Sequence, residues 1–174
     1  ADNFSVIRTV IQAVGSGSDI KPEIAEYVRR QTDTDTFDPR QADYYGIAAW
    51  LLQFLHKEQE VEINNHTIRR WGLTRLGEEY LTYLDRGDRG SADNLLTQQI
   101  RDVEIISRVY AQLEENGTLS RRDITNILAA ETDLSDSTTR RRARTVGKWL
   151  VRLSEITTSG RGSKQQYVLA STPR

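Results

Sequence analysis

Cysteine and methionine are both missing from this 174-residue chain, and histidine occurs only twice. Without cysteine there are no disulfides, no thiolate zinc sites and no cysteine nucleophile, which fits a reducing compartment. His56 and His66 flank one expected hairpin and do not make a spaced ligand set, so neither a zinc site nor histidine acid–base chemistry is expected. Long apolar runs are lacking too: no stretch approaches the roughly 20 apolar residues that span a bilayer, and the N-terminus lacks the charged-then-apolar layout of a signal peptide. We therefore expect a soluble, cytoplasmic protein with no membrane partner. Because the chain opens at Ala1 and holds no methionine, we also expect a processed chain or a piece of a longer protein.

Carboxylates are plentiful but not arranged for catalysis. A metal-dependent nuclease needs two or three of them converging on a divalent ion, often with a lysine two residues after the last. Asp19, Lys21 and Glu23 have similar letters, yet they straddle a short strand and a helix start. Gly160-Arg161-Gly162 falls in a hairpin instead of between a strand and a helix, so it is not a Walker loop. No catalytic residue, cofactor or metal site is expected in this chain, and it is not expected to be an enzyme in its own right.

What is present is an uneven charge. The totals nearly cancel, 24 Lys and Arg against 25 Asp and Glu. Residues 1–90 carry 11 basic and 15 acidic side chains, whereas residues 91–174 carry 13 and 10. From Asp136 to Arg174 nine Lys and Arg stand against Asp136 and Glu155 alone, which favours a polyanionic partner.

Apolar periodicity organises the chain into two similar halves. Phe4, Ile7, Val10, Ile11 and Val14 predict a helix stopped by Gly15 to Ser18. Ile20 is a short apolar step, and Pro22 opens a second helix through Ile24, Ala25, Tyr27 and Val28. Asp38 and Pro39 begin a third, with Tyr45, Ala48, Leu52 and Leu55 inward. Val61 and Ile63, a tip of Asn64, Asn65, His66 and Thr67, and a return from Ile68 to Leu73 read as a hairpin. Thr74 then starts a closing helix with Leu76, Tyr80, Leu81 and Leu84 inward, and the Gly-, Asp- and Arg-rich residues 86–98 read as a linker.

The order then repeats. Ile100, Val103, Ile106, Val109, Tyr110 and Leu113 predict a helix stopped by Gly117, and Leu119 a short strand. Ser120 to Asp123 is a capping-box start for a helix through Ile124, Ile127 and Leu128. Ser135 or Asp136 caps a third helix with Ala143, Val146, Trp149, Leu150 and Leu153 inward, and Ile156 to Leu169 returns as a hairpin around Ser159 to Lys164. Helix, strand, helix, helix, hairpin is the winged-helix order. The expected fold is mainly α with small β-hairpin wings: two tandem winged-helix (helix-turn-helix) domains, 1–85 and 99–174, joined by the linker 86–98.

In such a domain the third helix enters the major groove with its N-terminal residues near base edges. In the second domain that helix offers Ser137, Thr138, Thr139, Arg140, Arg141, Arg142 and Arg144, with Lys148 further along. Arginine suits guanine because its planar fork donates two hydrogen bonds at once, and the hydroxyls can reach phosphates or bases. Arg161 and Lys164 on the wing have the reach for phosphates or the minor groove. In the first domain Arg40, Gln41 and Tyr44 occupy the corresponding helix, with Arg69 beside the wing. A basic helix run is often only a solvated face; here it falls on the recognition helix beside a basic wing. Trp50, Trp71 and Trp149 fall at spacings expected for core or domain packing.

Two stretches carry a family resemblance. Arg40-Gln41-Ala42-Asp43-Tyr44-Tyr45 with Ala48-Ala49, followed by a wing leading into Leu73-Thr74 and Gly77, resembles a winged-helix module attached to some restriction endonucleases. Arg140-Arg141-Arg142-Ala143-Arg144-Thr145-Val146 with Trp149-Leu150 is similar to the recognition-helix pattern of related tandem modules in restriction–modification proteins. The first stretch departs from its pattern at Trp50-Leu51-Leu52, where glycine often follows. The resemblance implies sequence-specific binding of double-stranded DNA, with the cutting centre in a separate nuclease domain or subunit. Target sequence, any modified base and oligomeric state stay open. The rival expectation is a tandem winged-helix protein–protein adaptor, or a transcriptional regulator without a nuclease partner.

Overall fold

The computed structural model describes residues 2–63 and 65–170, with Ser163 described only through its backbone. The chain divides into two compact units, Asn3–Leu96 and Thr97–Arg174, the second taking in Asp2. Each is mainly helical and carries short antiparallel hairpins.

In the first unit Asn3 caps α1 (Phe4–Gly15), its side chain accepting from the Ser5 and Val6 amides. Ile7, Val10, Ile11 and Val14 point inward. The α2 helix (Lys21–Thr32) has Pro22 in its first turn, and α3 (Pro39–Leu51) opens on a reciprocal Asp38–Gln41 capping box. Gln53, at φ 60°, turns the chain out of α3. Four short strands follow: β1 (Leu55–Lys57), β2 (Val61–Ile63), β3 (His66–Ile68) and β4 (Trp71–Leu73). Leu55 faces Leu73 and Val61 faces Ile68, so the four make one interrupted hairpin. A bridge between Ile20 and Arg70 brings the α1–α2 connection onto its returning arm. Thr74 caps α4 (Arg75–Asp85) by accepting from the Gly77 amide at 3.0 Å. Trp71, Tyr80, Phe54, Leu52 and Leu55 are the largest buried groups contributed by this later half, and Phe54 stacks on Tyr80 with ring centroids 4.7 Å apart.

Several expectations need correction. Residues 86–98, expected as a linker, are helical from Arg89, where α5 (Arg89–Asp102) begins. Ala92, Leu96, Gln99 and Ile100 recur at helical spacing and are buried, which outweighs the glycine-rich composition. His66 and Thr67 lie in β3 rather than at the hairpin tip, Asn65 has a left-handed φ of 61°, and Asn64 lies outside the described residues. Trp50 is not packed away but 38% exposed, with Lys57 Nζ 3.9 Å above its ring.

The second unit continues with α6 (Glu104–Asn116), ended by Gly117 at φ 71°. Ile100 was expected in this helix, but the backbone leaves helical geometry at Val103 and Ile100 falls in α5. Next come β5 (Thr118–Ser120), α7 (Arg121–Glu131), α8 (Asp136–Leu150), β6 (Ile156–Ser159), a 3₁₀ turn (Gly162–Lys164) and β7 (Gln166–Leu169). The strands are ordered β5-β7-β6, all antiparallel. Ile106, Val109, Leu113, Ile124, Leu128, Ala143, Val146, Trp149, Leu150, Leu153 and Tyr167 fill the core. Where α8 crosses β7 the helix carries Gly147, and a β-carbon there would sit 2.8 Å from Tyr167 Cζ. Residues 171–174 of the expected second domain lie outside the described residues. Among the described residues no helix is long and apolar enough to cross a membrane.

Candidate nucleic-acid interface

The inward side of α8 is set by Thr139, Ala143, Val146, Gly147 and Leu150, all buried. At about 100° per residue this leaves Ser137, Arg141, Arg144, Thr145 and Lys148 on the opposite side, with Arg140 and Arg142 on the two flanks. All four arginines and Lys148 are exposed. Among the described residues none of Arg140, Arg141, Arg142 and Arg144 has an ion-pair partner, nor do Arg161 and Lys164. Lys148 is paired with Asp2 at 2.5 Å. Elsewhere in this unit Arg101 is matched to Glu155 at 2.5 Å and Arg108 to both Glu104 and Glu131.

Among the hydroxyls the structure separates what the sequence grouped. Thr139 is 2% exposed and its Oγ1 donates to the Ser135 carbonyl at 3.1 Å, so it is a core residue and not a contact residue. It falls on the same stripe as Ala143, Val146 and Leu150, which forces it inward. Thr138 Oγ1 accepts from Ser135 Oγ at 3.0 Å and is half-buried, whereas Ser137 is exposed. Thr145, absent from the expected contact residues, joins this outward stripe, and its i+4 spacing from Arg141 is the signal in the sequence.

The hairpin between β6 and β7 carries Arg161 and Lys164 on its 3₁₀ turn, both exposed. Gly160 has φ 72°, and a β-carbon on it would meet the Lys164 backbone, so the tight turn requires glycine. Arg121, the first residue of α7, fastens this turn: its Nη2 donates to Gln165 Oε1 at 2.5 Å. The start of α7 is closed by Ser120 and Asp123. The Ser120 hydroxyl and amide both donate to Asp123 Oδ2 at 2.7 Å and hold that carboxyl below its ordinary value.

The corresponding residues of the first unit are largely occupied. Gln41 Oε1 accepts from the Asp38 amide at 3.0 Å, so this candidate contact side chain completes a helix cap. Arg69 pairs with Asp43 at 3.4 Å and lies 5.4 Å from the Trp71 ring centroid. Asp19 is engaged by Arg70. Arg40 and Tyr44 are exposed. Around them the outward side of α3 presents Ile47, Trp50 and Leu51, so helices at the same position in the two units expose opposite chemistry, apolar in α3 and cationic in α8. Among the described residues no group of three or more His, Asp or Glu could hold a metal ion.

No curated protein and no solved structure matches the chain. Residues 25–158, a span that reaches from α2 to β6 and so runs through both units, match the family described as domain of unknown function DUF7226, and the chain belongs to that family.

Proposed function

We propose that both units are winged helices and that the chain is a sequence-specific double-stranded DNA-binding module, with α8 in the major groove and the Arg161–Lys164 wing on backbone or minor groove. The fold reading is supported by the helix, strand, helix, helix, hairpin order in both units, with Ile20 and β5 each joining the returning arm. Following the family resemblance, the module is the target-recognition part of a restriction–modification protein that cuts DNA with a separate nuclease domain or subunit.

The observation that carries the reading is the absence of carboxylate partners for Arg140, Arg141, Arg142 and Arg144 among the described residues. Like charges three and four residues apart on a helix each cost about 0.2–0.5 kcal/mol, so the run is unfavourable until an anion meets it. Phosphates supply that anion, and each arginine that neutralises one adds about −0.9 to the slope of log K against log salt.

The test is selection from a labelled random duplex library at two salt concentrations, with the intact chain and with an Arg141→Ala, Arg144→Ala, Lys148→Ala variant. Tight, salt-sensitive binding that the triple change abolishes supports the reading, and an enriched motif makes the chain a specificity module. No binding by the intact chain at low salt rejects it. In that case the protein–protein adaptor moves first, a reading favoured by the exposed Tyr44, Trp50 and Leu51 of α3.

A further inference from the structure

Resting on that DNA reading, we infer that the duplex bound by α8 carries two guanines on neighbouring or next-but-one base pairs, read by Arg141 and Arg144, while Arg140 and Arg142 hold phosphates on the two walls of the groove. Adenine is read in the major groove by Asn or Gln, and cytosine by Asp or Glu. Over Asp136–Leu150 there is no Asn, Gln or Glu, and the sole carboxylate, Asp136, is at the first residue of the helix. Strong base-reading groups on this helix are therefore arginines, whose bidentate match is guanine O6 and N7.

Position then divides the arginines. Arg141 and Arg144 are three residues apart, about 4.5 Å along the helix and about 60° apart in rotation, on the side opposite Ala143, Val146 and Leu150. That rise is close to the 3.4 Å step of bases along one DNA strand, which places the two forks over adjacent or next-but-one pairs. Arg140 and Arg142 project about 100° to either side of Arg141, toward the strands that border the groove. All four side chains are exposed and, among the described residues, without an ion-pair partner, so their substitution leaves the core of the unit untouched.

The experiment uses the full chain and duplexes from the selection. Each guanine of the enriched site is replaced in turn by 7-deazaguanine, which keeps Watson–Crick pairing and removes the N7 acceptor. Two of these replacements are expected to weaken binding about 5- to 150-fold, the range of a good bidentate pair, and each loss should vanish in either the Arg141→Ala or the Arg144→Ala protein. Arg140→Ala and Arg142→Ala should weaken all duplexes alike and lower the salt slope by about one each. Salt-sensitive binding with no guanine in the enriched site, or with 7-deaza losses that persist in both Arg→Ala proteins, overturns the guanine assignment and leaves the DNA reading standing. Failure of the intact, folded chain to bind any duplex at low salt overturns both.

Discussion

Arg121 Nη2 donates to Gln165 Oε1 at 2.5 Å while the Arg121 amide donates to the Gln165 carbonyl at 3.4 Å, so one residue at the head of α7 grips the returning arm of the hairpin twice. The backbone contact survives substitution and the side-chain contact does not. Arg121→Met should therefore loosen the turn without unfolding the unit. A hydrogen bond to a charged group contributes about 1.5–3 kcal/mol, and at this half-buried site we expect the lower end in urea unfolding. Trypsin should cut after Arg161 and Lys164 faster in the variant; an unchanged cleavage rate would show that the backbone contact suffices.

Asp123 gives the protein an acid-sensitive element. Its carboxyl is held below the ordinary value by the Ser120 hydroxyl and amide, so the folded state binds a proton there less readily than the unfolded chain does. The stabilisation is fully present above the unfolded pKa of about 3.9 and is lost as pH falls through the lower folded value. In urea titrations from pH 6 downward, wild type should lose stability below about pH 4 more steeply than Asp123→Asn. Parallel curves would assign the acid response to other groups.

Gly147 faces Tyr167, and the expected effect of Gly147→Ala is a contest between two terms. Alanine gains up to about 1 kcal/mol of helix propensity over glycine. Overpacking against a tyrosine that is only 2% exposed costs about 1–3 kcal/mol, because the ring has nowhere to swing. We expect net destabilisation in thermal melts, with Tyr167→Phe recovering part of it, since the hydroxyl is the atom nearest the added carbon. Full additivity of the two changes would dissociate them.

Thr139 and Ser137 should behave oppositely although they are two residues apart. Thr139→Val removes a buried hydroxyl that donates to the Ser135 carbonyl, and should cost about 1 kcal/mol of stability with duplex affinity unchanged. Ser137→Ala touches an exposed side chain and should change stability by less than about 0.5 kcal/mol. Any effect of Ser137→Ala on duplex affinity is then a contact effect, which comparison of melting and binding for both variants will separate.

Much of the secondary structure is legible in the sequence, because its signals are local. The Asp38 cap, the Ser120-x-x-Asp123 capping box and the Gly117 stop depend on residues a few positions apart. Misreadings arose where composition competed with spacing. Glycine, aspartate and arginine after Leu84 masked the Ala92, Leu96 and Ile100 stripe that makes α5 a helix. Thr139 shares a hydroxyl with its neighbours Ser137 and Thr138, yet it lies four residues before Ala143, on the inward stripe. The neutralisation of Arg69 by Asp43 was not legible at all, since the partners are 26 positions apart and meet only through the fold.

Four outward residues of α8, Arg140, Arg141, Arg142 and Arg144, are exposed and, among the described residues, tie to no carboxylate. Their identities are therefore thermodynamically decoupled from the packing of Ala143, Val146, Gly147 and Leu150 behind them. Such a surface can be rewritten residue by residue at nearly constant stability, so preference can drift, or be re-engineered, while the scaffold underneath stays the same.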